Sequence, residues 1–392
     1  MYPLKDSLRA AWAKVGVQHI EDGNGGSPLG ITELIENWQD GKRQLAREAY
    51  DLSGVQVLLN TLVECLVLET QPGEQEPVAT GVKLAGGKIL VATKEVIVCA
   101  GVFRSAQLLM LSGIGSEAEL GRHGIPVVVN SSEVGKNFFD HIAIVQWWKL
   151  RHPERGLAMG TPLWKDPAYM LGKPIDWIVF EQTPKELLLK AFEKDGRSPD
   201  PVVMHKDCVH SETLVVYVPT GGSTGMPVLP FDGTHISSAV LGVMPTARGS
   251  ITLVSRDPTA PPMIDPNFYA HEEDRASLRH GVRQVLRMFL GTPEGADIVE
   301  SEITPPDCSP LTLNSSDADI DARVKRLGNS FYHAAGSLAM GKVVDTHLRV
   351  KGVKGLRVVD ASVLPVLISA HFQVCVYALA EQAADIILGA SI

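Results

Sequence analysis

No stretch of this chain comes near the roughly 20 consecutive apolar residues that a membrane-spanning helix requires. A block of basic residues is also missing: the formal charge is −9 over 392 residues and is spread along the sequence. Without a positive cluster there is no counter-charge for nucleic acid or an anionic membrane surface, and neither is expected as a partner. Cysteine is scarce and unpatterned. The five present (Cys65, Cys99, Cys208, Cys308 and Cys375) show no CxxC or other metal-ligand spacing. Cys65, Cys99 and Cys375 sit within apolar runs, where a free thiol behaves as a small hydrophobe, so no disulfide framework is expected. His205, Asp207, Cys208 and His210 lie close together without the helical or hairpin spacing of a metal site, and no metal is expected there. The opening Met1-Tyr2-Pro3-Leu4-Lys5-Asp6 has no basic region followed by an apolar one. No secretory signal is visible, and a soluble, cytoplasmic protein is the expectation.

At this length the chain can bury a large core and is expected to form two domains, consecutive or interleaved. Residues 5–20 have the spacing of an amphipathic helix through Leu8, Ala11, Trp12 and Val15; a turn-rich loop follows at 22–28, and 38–50 reads as a second helix. From Val55 the pattern changes to short strand-like runs at 55–59, 63–68, 79–84 and 89–92, with turns at 72–77 and at Gly86-Gly87. That is the pattern of an antiparallel ribbon. The run 94–101 reads as a continuously apolar buried strand entering a turn at Gly101, and 105–112 as the helix after it. A strand, a glycine turn and a helix make half of a nucleotide-binding crevice. Residues 131 to about 310 interleave Trp147, Trp148, Trp164 and Trp177 with strand-like runs at 214–218 and 251–253, as expected of an antiparallel sheet with long crossings. Trp147, Trp148 and Trp164 are expected to line or cover a substrate pocket, which favours an apolar or aromatic small molecule. Leu278, Val282, Val285, Leu286 and Phe289 give 271–290 helical spacing, and 305–316 reads as a linker returning the chain to the first domain.

The last sixty residues carry the chemistry. Phe331-Tyr332-His333 and Gly336 precede a strand-like run, Leu356-Arg357-Val358-Val359-Asp360-Ala361-Ser362, and Ser369-Ala370-His371-Phe372 follows it. Two histidines flanking a strand that ends in an Asp before a small residue suit acid/base chemistry beside a cofactor, because a neutral imidazole accepts a proton near neutral pH. A histidine in an apolar-flanked segment is also commonly a satisfied core residue.

Several of these segments, in order, resemble the glucose-methanol-choline (GMC) flavin oxidoreductases. Gly101-Val102-Phe103-Arg104-Ser105-Ala106-Gln107-Leu108-Leu109-Met110-Leu111-Ser112-Gly113-Ile114-Gly115 is similar to the family's second signature, departing from it at Val102 and Ala106. Glu133–His141, Arg248-Gly249-Ser250-Ile251 and Asp265-Pro266-Asn267 resemble later family segments, and the C-terminal block is the most specific match. The His in Ser369-Ala370-His371 places the resemblance in a fungal secondary-metabolism-like branch. It implies an α+β or α/β architecture in which an incomplete FAD-binding domain is interleaved with an antiparallel-sheet substrate-binding domain. The expected boundaries are 1–50 for substrate-domain or linker helices, 51–130 for part of the FAD-binding-like domain, 131–310 for the substrate-binding domain and 311–392 for the remainder of the FAD-binding-like domain. By the same resemblance His333 and His371 are the catalytic pair, with His333 favoured as base. Val63, Gly101, Asp360, Ala361 and Phe372 are the cofactor-binding candidates. Each also has a structural reading: a strand valine, a tight turn, a strand-end cap with its neighbour, and a core aromatic.

A flavin dinucleotide needs a Gly-x-Gly-x-x-Gly turn between a first strand and a first helix, and none occurs here. By resemblance the chain lacks the family's N-terminal βαβ segment, and its loss is expected to expose apolar strand edges. Three readings follow. The first is a FAD-dependent alcohol oxidoreductase acting on a small apolar or aromatic metabolite, whose missing N-terminal segment belongs to a longer protein or to a second, complementary chain. The second is a flavin-independent dehydratase, isomerase or cyclase using the same histidine pair. The third is a non-catalytic remnant that binds a ligand or partner. An open sheet edge also makes a homo-oligomer an expected alternative.

Overall fold

The computed structural model describes residues 2–70, 72–220 and 228–389. The chain divides into two units: Met1–Val55, His141–Thr246 and Tyr269–Phe331 form the first, and Gln56–Asp140, Ala247–Phe268 and Tyr332–Ile392 the second. These boundaries differ from the expected ones. Residues 131–140 and 247–268 belong to the second unit because backbone bonds tie them together: Gly249 N donates to Phe138 O at 2.7 Å and Ile251 N to Gly135 O at 2.7 Å. Residues 311–331 stay with the first unit, where Arg323 of the helix Asp317–Leu327 is buried in an ion pair with Glu302 at 2.6 Å. The linker at 305–316 therefore does not return the chain to the other unit; that change comes after Phe331.

The first unit is built on a seven-stranded antiparallel sheet. Its path runs from Gly30–Glu33 through Trp177–Glu181, Ser211–Val216, His235–Gly242 and Ile142–Leu150 to Val299–Ile303, with Asn329–Ser330 also paired to Ile142–Leu150. The helix Glu272–Leu290 covers one face, burying Leu278, Val282, Val285, Leu286 and Phe289 as their spacing predicts. Gly281 is required there, since a Cβ would lie 2.6 Å from Val240 Cγ1. Trp148 lies under this helix, 4.7 Å from Phe289, with Nε1 donating to Ser238 Oγ at 2.9 Å. It is a core residue and not a pocket wall. Trp164 packs in a ring cluster with Tyr2, Tyr169 and Tyr217. On the opposite face Ala143, Ala239 and Leu241 form an apolar layer with Val145, Phe180 and Phe331.

Two sequence readings in this unit are corrected. The first helix ends at Lys14, before Gly16 at φ 91°. Residues 38–50 are not one helix: Trp38–Gln39 pairs with Lys42–Arg43 around Asp40-Gly41, both at positive φ, and only Ala46–Ala49 is helical. An Asp-Gly pair accepts the left-handed conformation that a tight hairpin needs, and here it outweighs helical spacing.

In the second unit the ribbon Val63–Glu69, Val78–Leu84 and Ile89–Val91 is antiparallel as expected, while 55–59 is not a strand. Val96–Val98 pairs in parallel with Leu356–Val358 and leads into the helix Gly101–Leu111. This strand is not buried throughout. Ile97 is 40% exposed, because among the described residues Val96–Val98 has a strand neighbour on one side only. The core gathers Val98, Ala106, Leu109, Met110, Val344, Leu356 and Val358. The closing helix Gln373–Leu388 is largely apolar, yet Ala383 is its one buried residue. No helix among the described residues is long and apolar enough to cross a membrane.

Candidate active site

Segments distant in sequence hold the loop that carries His333. Phe139 and Ala335 exchange backbone bonds, N to O at 3.0 Å and at 2.9 Å, which fixes the loop to the end of the Glu133–Asp140 segment. On its other side Gly336 N donates to Ala361 O at 3.1 Å and Leu338 N to Ser362 O at 2.8 Å. Gly336 cannot be replaced without movement. Its φ is +86°, and a Cβ there would come within 2.5 Å of both Asn137 O and Phe139 Cε1. Inside this clamp Asp140, itself buried, accepts the His333 backbone N–H through Oδ1 at 2.8 Å. The residue before the histidine, Tyr332, sits at φ 63°, uncommon for a side chain of its size.

His371 arrives from the turn before the helix Gln373–Leu388, whose N-cap is Phe372. The imidazole rings of His333 and His371 lie 4.8 Å apart, inclined by 50°. Phe372 is buried, 5.3 Å from the His333 ring and 6.2 Å from the Phe139 ring, which it meets edge-on. With Ala335 these rings form a small apolar cluster bordered by Ala361, Leu364, Leu367, Ile368 and Val376. Burial, and then the neighbouring His371, push His333 down to about 4. At neutral pH it is an uncharged imidazole, able to accept a proton or a hydrogen bond.

The cofactor candidates separate. Asp360 ends the strand run and is occupied within the protein: Oδ2 accepts from Gly101 N at 3.0 Å and Ser105 Oγ at 2.5 Å, and Oδ1 from Ser362 N at 2.8 Å. It caps two helical segments at once, the one beginning at Gly101 and the short one at Ala361–Val363. Gly101 takes φ +77° with nothing within 4 Å of a would-be Cβ, so backbone conformation and not crowding asks for glycine there. Ala361 lies beside the histidine loop through its bond to Gly336. Phe372 packs under His333. Val63 begins the ribbon strand opposite Leu84. The arrangement thus brings His333, His371, Phe372 and Ala361 together, joins Asp360 to Gly101, and leaves Val63 in the ribbon. Asp140 and Phe139, both in the Glu133–His141 segment, carry no site signal in the sequence of their own. An Asp beside a histidine-bearing loop shows its purpose only when a chain-distant backbone N–H meets it.

His210, in the cluster already read as having no metal-site spacing, uses both ring nitrogens. Nδ1 accepts from Thr183 N at 2.9 Å and Nε2 lies 2.8 Å from Val203 O.

Comparison with known proteins places the chain as a whole. GMC oxidoreductase family models match residues 1–143 and 245–380. A GMC-type oxidoreductase of Aspergillus aculeatus, acuG, is 43% identical over 388 residues, covering 99% of this chain and 73% of the relative. A dehydrogenase of Strobilurus tenacellus, str4, is 32% identical, covering 99% of this chain and 68% of the relative. Among solved structures, a formate oxidase of Aspergillus oryzae, studied for modification of its FAD, superposes with a TM-score of 0.84 at 28% identity, over 99% of this chain and 70% of that one. A fungal aryl-alcohol oxidase shares the fold with a TM-score of 0.79 at 23% identity. With a histidine pair held on the family's segments and this likeness over almost its whole length, the chain belongs to the GMC oxidoreductase family of enzymes.

Proposed function

We propose that this chain carries the proton-transfer half of a FAD-dependent alcohol oxidoreductase acting on a small apolar or aromatic metabolite of fungal secondary metabolism. The observation that carries the reading is the His333–His371 pair, 4.8 Å apart, with His333 kept neutral by burial. Alcohol oxidation removes a proton from oxygen as hydride leaves carbon, and FAD, when bound, supplies the hydride acceptor. His333 takes the hydroxyl proton. His371 hydrogen-bonds the same oxygen and orients it, and Phe372 and Asp140 fix the His333 ring and backbone. The apolar border of Leu364, Leu367, Ile368 and Val376 favours an apolar substrate over a highly hydroxylated one.

The residues present fit the reacting end of the cofactor and not its dinucleotide end. The Asp360 carboxylate is already bonded within the protein, and the sequence holds no Gly-x-Gly-x-x-Gly turn. We assign that end to a complementary N-terminal βαβ segment. Its support is the number of exposed apolar side chains in the second unit, where Val57, Leu59, Ile97, Val366 and Val374 are 56%, 78%, 40%, 64% and 76% exposed. The test is flavin absorbance and alcohol oxidation with an artificial electron acceptor, measured with and without such a segment co-expressed. Flavin retained only with the segment, and turnover abolished by His333→Ala, is the expected result. Metabolite turnover by colourless protein that still needs both histidines would replace this reading with flavin-independent acid/base catalysis. Flavin absent in every combination, with no turnover, would leave only a binding role.

A further inference from the structure

A second concave site lies within the first unit, between the helices Lys185–Lys194 and Glu272–Leu290, and the histidine-pair chemistry makes no use of it. It encloses about 360 Å³, within the range of small-molecule pockets. The facing stripes that form it follow from helical spacing: Leu187, Lys190, Ala191 and Lys194 on one helix meet Ala276, His280, Arg283 and Arg287 on the other.

We propose that this groove binds a phosphate-bearing small molecule, with Lys190 and Arg287 as its principal ligands. Five permanently positive side chains line it (Lys190, Lys194, Arg279, Arg283 and Arg287) against two carboxylates, Glu272 and Asp317. Existing pairs account for three of the five. Arg279 bonds Glu272 at 2.7 Å and Asp321 at 2.6 and 2.5 Å, Lys194 bonds Glu272 at 3.0 Å, and Arg283 bonds Asp317 at 2.6 Å. Among the described residues no carboxylate forms a close ion pair with Lys190 or Arg287; the buried Glu181 carboxyl, pushed up to about 7 by burial, feels the Arg287 charge only from beyond that distance. Arg287 is nevertheless held in position: it donates to Gln284 Oε1 at 3.0 Å, and Gln284 Nε2 donates to Glu181 Oε1 at 2.7 Å. Two cations without a close ion pair, one of them tethered, on the wall of this groove in a chain of net charge −9 form a local positive centre. His280 lies on the groove wall beside these charges. Burial first, and then Arg287, His210 and Arg283, lower it to about 4, so it stays uncharged and offers a neutral hydrogen-bonding ring at the groove wall. The Arg287 guanidinium fork can take two oxygens of one phosphate while the Lys190 ammonium meets a further oxygen as a point charge, a demand that the two oxygens of a carboxylate do not fill.

The test is calorimetric titration of the purified protein with inorganic pyrophosphate at constant ionic strength, with sulfate and sodium chloride as separate arms. Saturable pyrophosphate binding, weakened at least about tenfold in Arg287→Glu and in Lys190→Glu, is expected. Lys190 is solvent-exposed, so the second variant tests the site without loading the fold. Heat signals that chloride reproduces at equal ionic strength, or unchanged pyrophosphate binding in both folded variants, would overturn the proposal. Equal binding of sulfate would overturn its preference for phosphate.

Discussion

The protonation of His333 is the most direct handle on the candidate site. Burial and then His371 lower it from 6.5 to about 4. In the unfolded chain an ordinary imidazole binds a proton below about 6.5 that the folded one refuses. The stabilisation is therefore present above the unfolded value and is lost as pH falls from about 6.5 towards the folded value near 4. Over such a window one site costs about 2 kcal/mol at pH 5 relative to pH 7.5, and roughly 1 to 2 once partial solvent access is allowed for. His280, also lowered to about 4, and His210 add losses of the same sign, so the measurement has to be a difference. Denaturant unfolding at the two pH values should show the wild type losing about 1 to 2 kcal/mol more than His333→Gln. Titration of histidine-selective carbon-13 signals, assigned with the same variant, should find His333 still neutral at pH 5.5. His371→Asn should raise its midpoint by less than the full depression, because burial is the larger cause. A His333 signal that titrates near 6.5, or equal acid losses in variant and wild type, would refute the argument and remove the neutral base from the proposed mechanism.

Two further outcomes test the internal packing of each unit. Gly336→Ala forces a side chain against Asn137 O and the Phe139 ring at φ +86°, and should cost about 1 to 3 kcal/mol while displacing His333; thermal unfolding together with the His333 chemical shift reads both effects. Arg323→Met leaves Glu302 buried without its guanidinium partner, and Glu302 also holds Leu311 N at 3.0 Å and Gln146 Nε2 at 3.1 Å. A loss of about 3 to 5 kcal/mol in denaturant unfolding is expected, with the double variant Glu302→Leu/Arg323→Met less affected than the single one.

Much of this architecture is legible in the chain because its signals are local. The helix Glu272–Leu290 follows from apolar spacing, and the ribbon from short runs separated by turns. What escapes the sequence depends on long-range encounters. Trp148 looks like a pocket residue until the register with Ser238 and the approach of Phe289 place it under a helix. Asp360 looks like a cofactor ligand or a cap with equal force. It resolves into a double cap only because Gly101 and Ser105, more than 250 positions away, point their donors at it. The unit boundary after Phe331, and not near 310, follows from long-range contacts that composition does not reveal, among them the buried Arg323–Glu302 pair, the Arg279–Asp321 pair and the pairing of Asn329–Ser330 with Ile142–Leu150.

The histidine pair also explains why two imidazoles suit this site better than one. The His371 ring, 4.8 Å from His333, adds to burial in holding down the proton affinity of His333. It does so without bringing a permanent charge that needs its own partner. A lysine or arginine at 371 would lower it further, but would place a permanent cation beside Phe372 and Leu364 in the apolar cluster, at a desolvation cost that a neutral ring avoids. An asparagine would keep a hydrogen bond and lose the coupling. His371→Asn thus separates orientation from electrostatics: if it preserves alcohol turnover while shifting the acid limb of the pH profile upward, the second histidine acts on the proton, and if turnover collapses with the limb unmoved, it acts on the substrate.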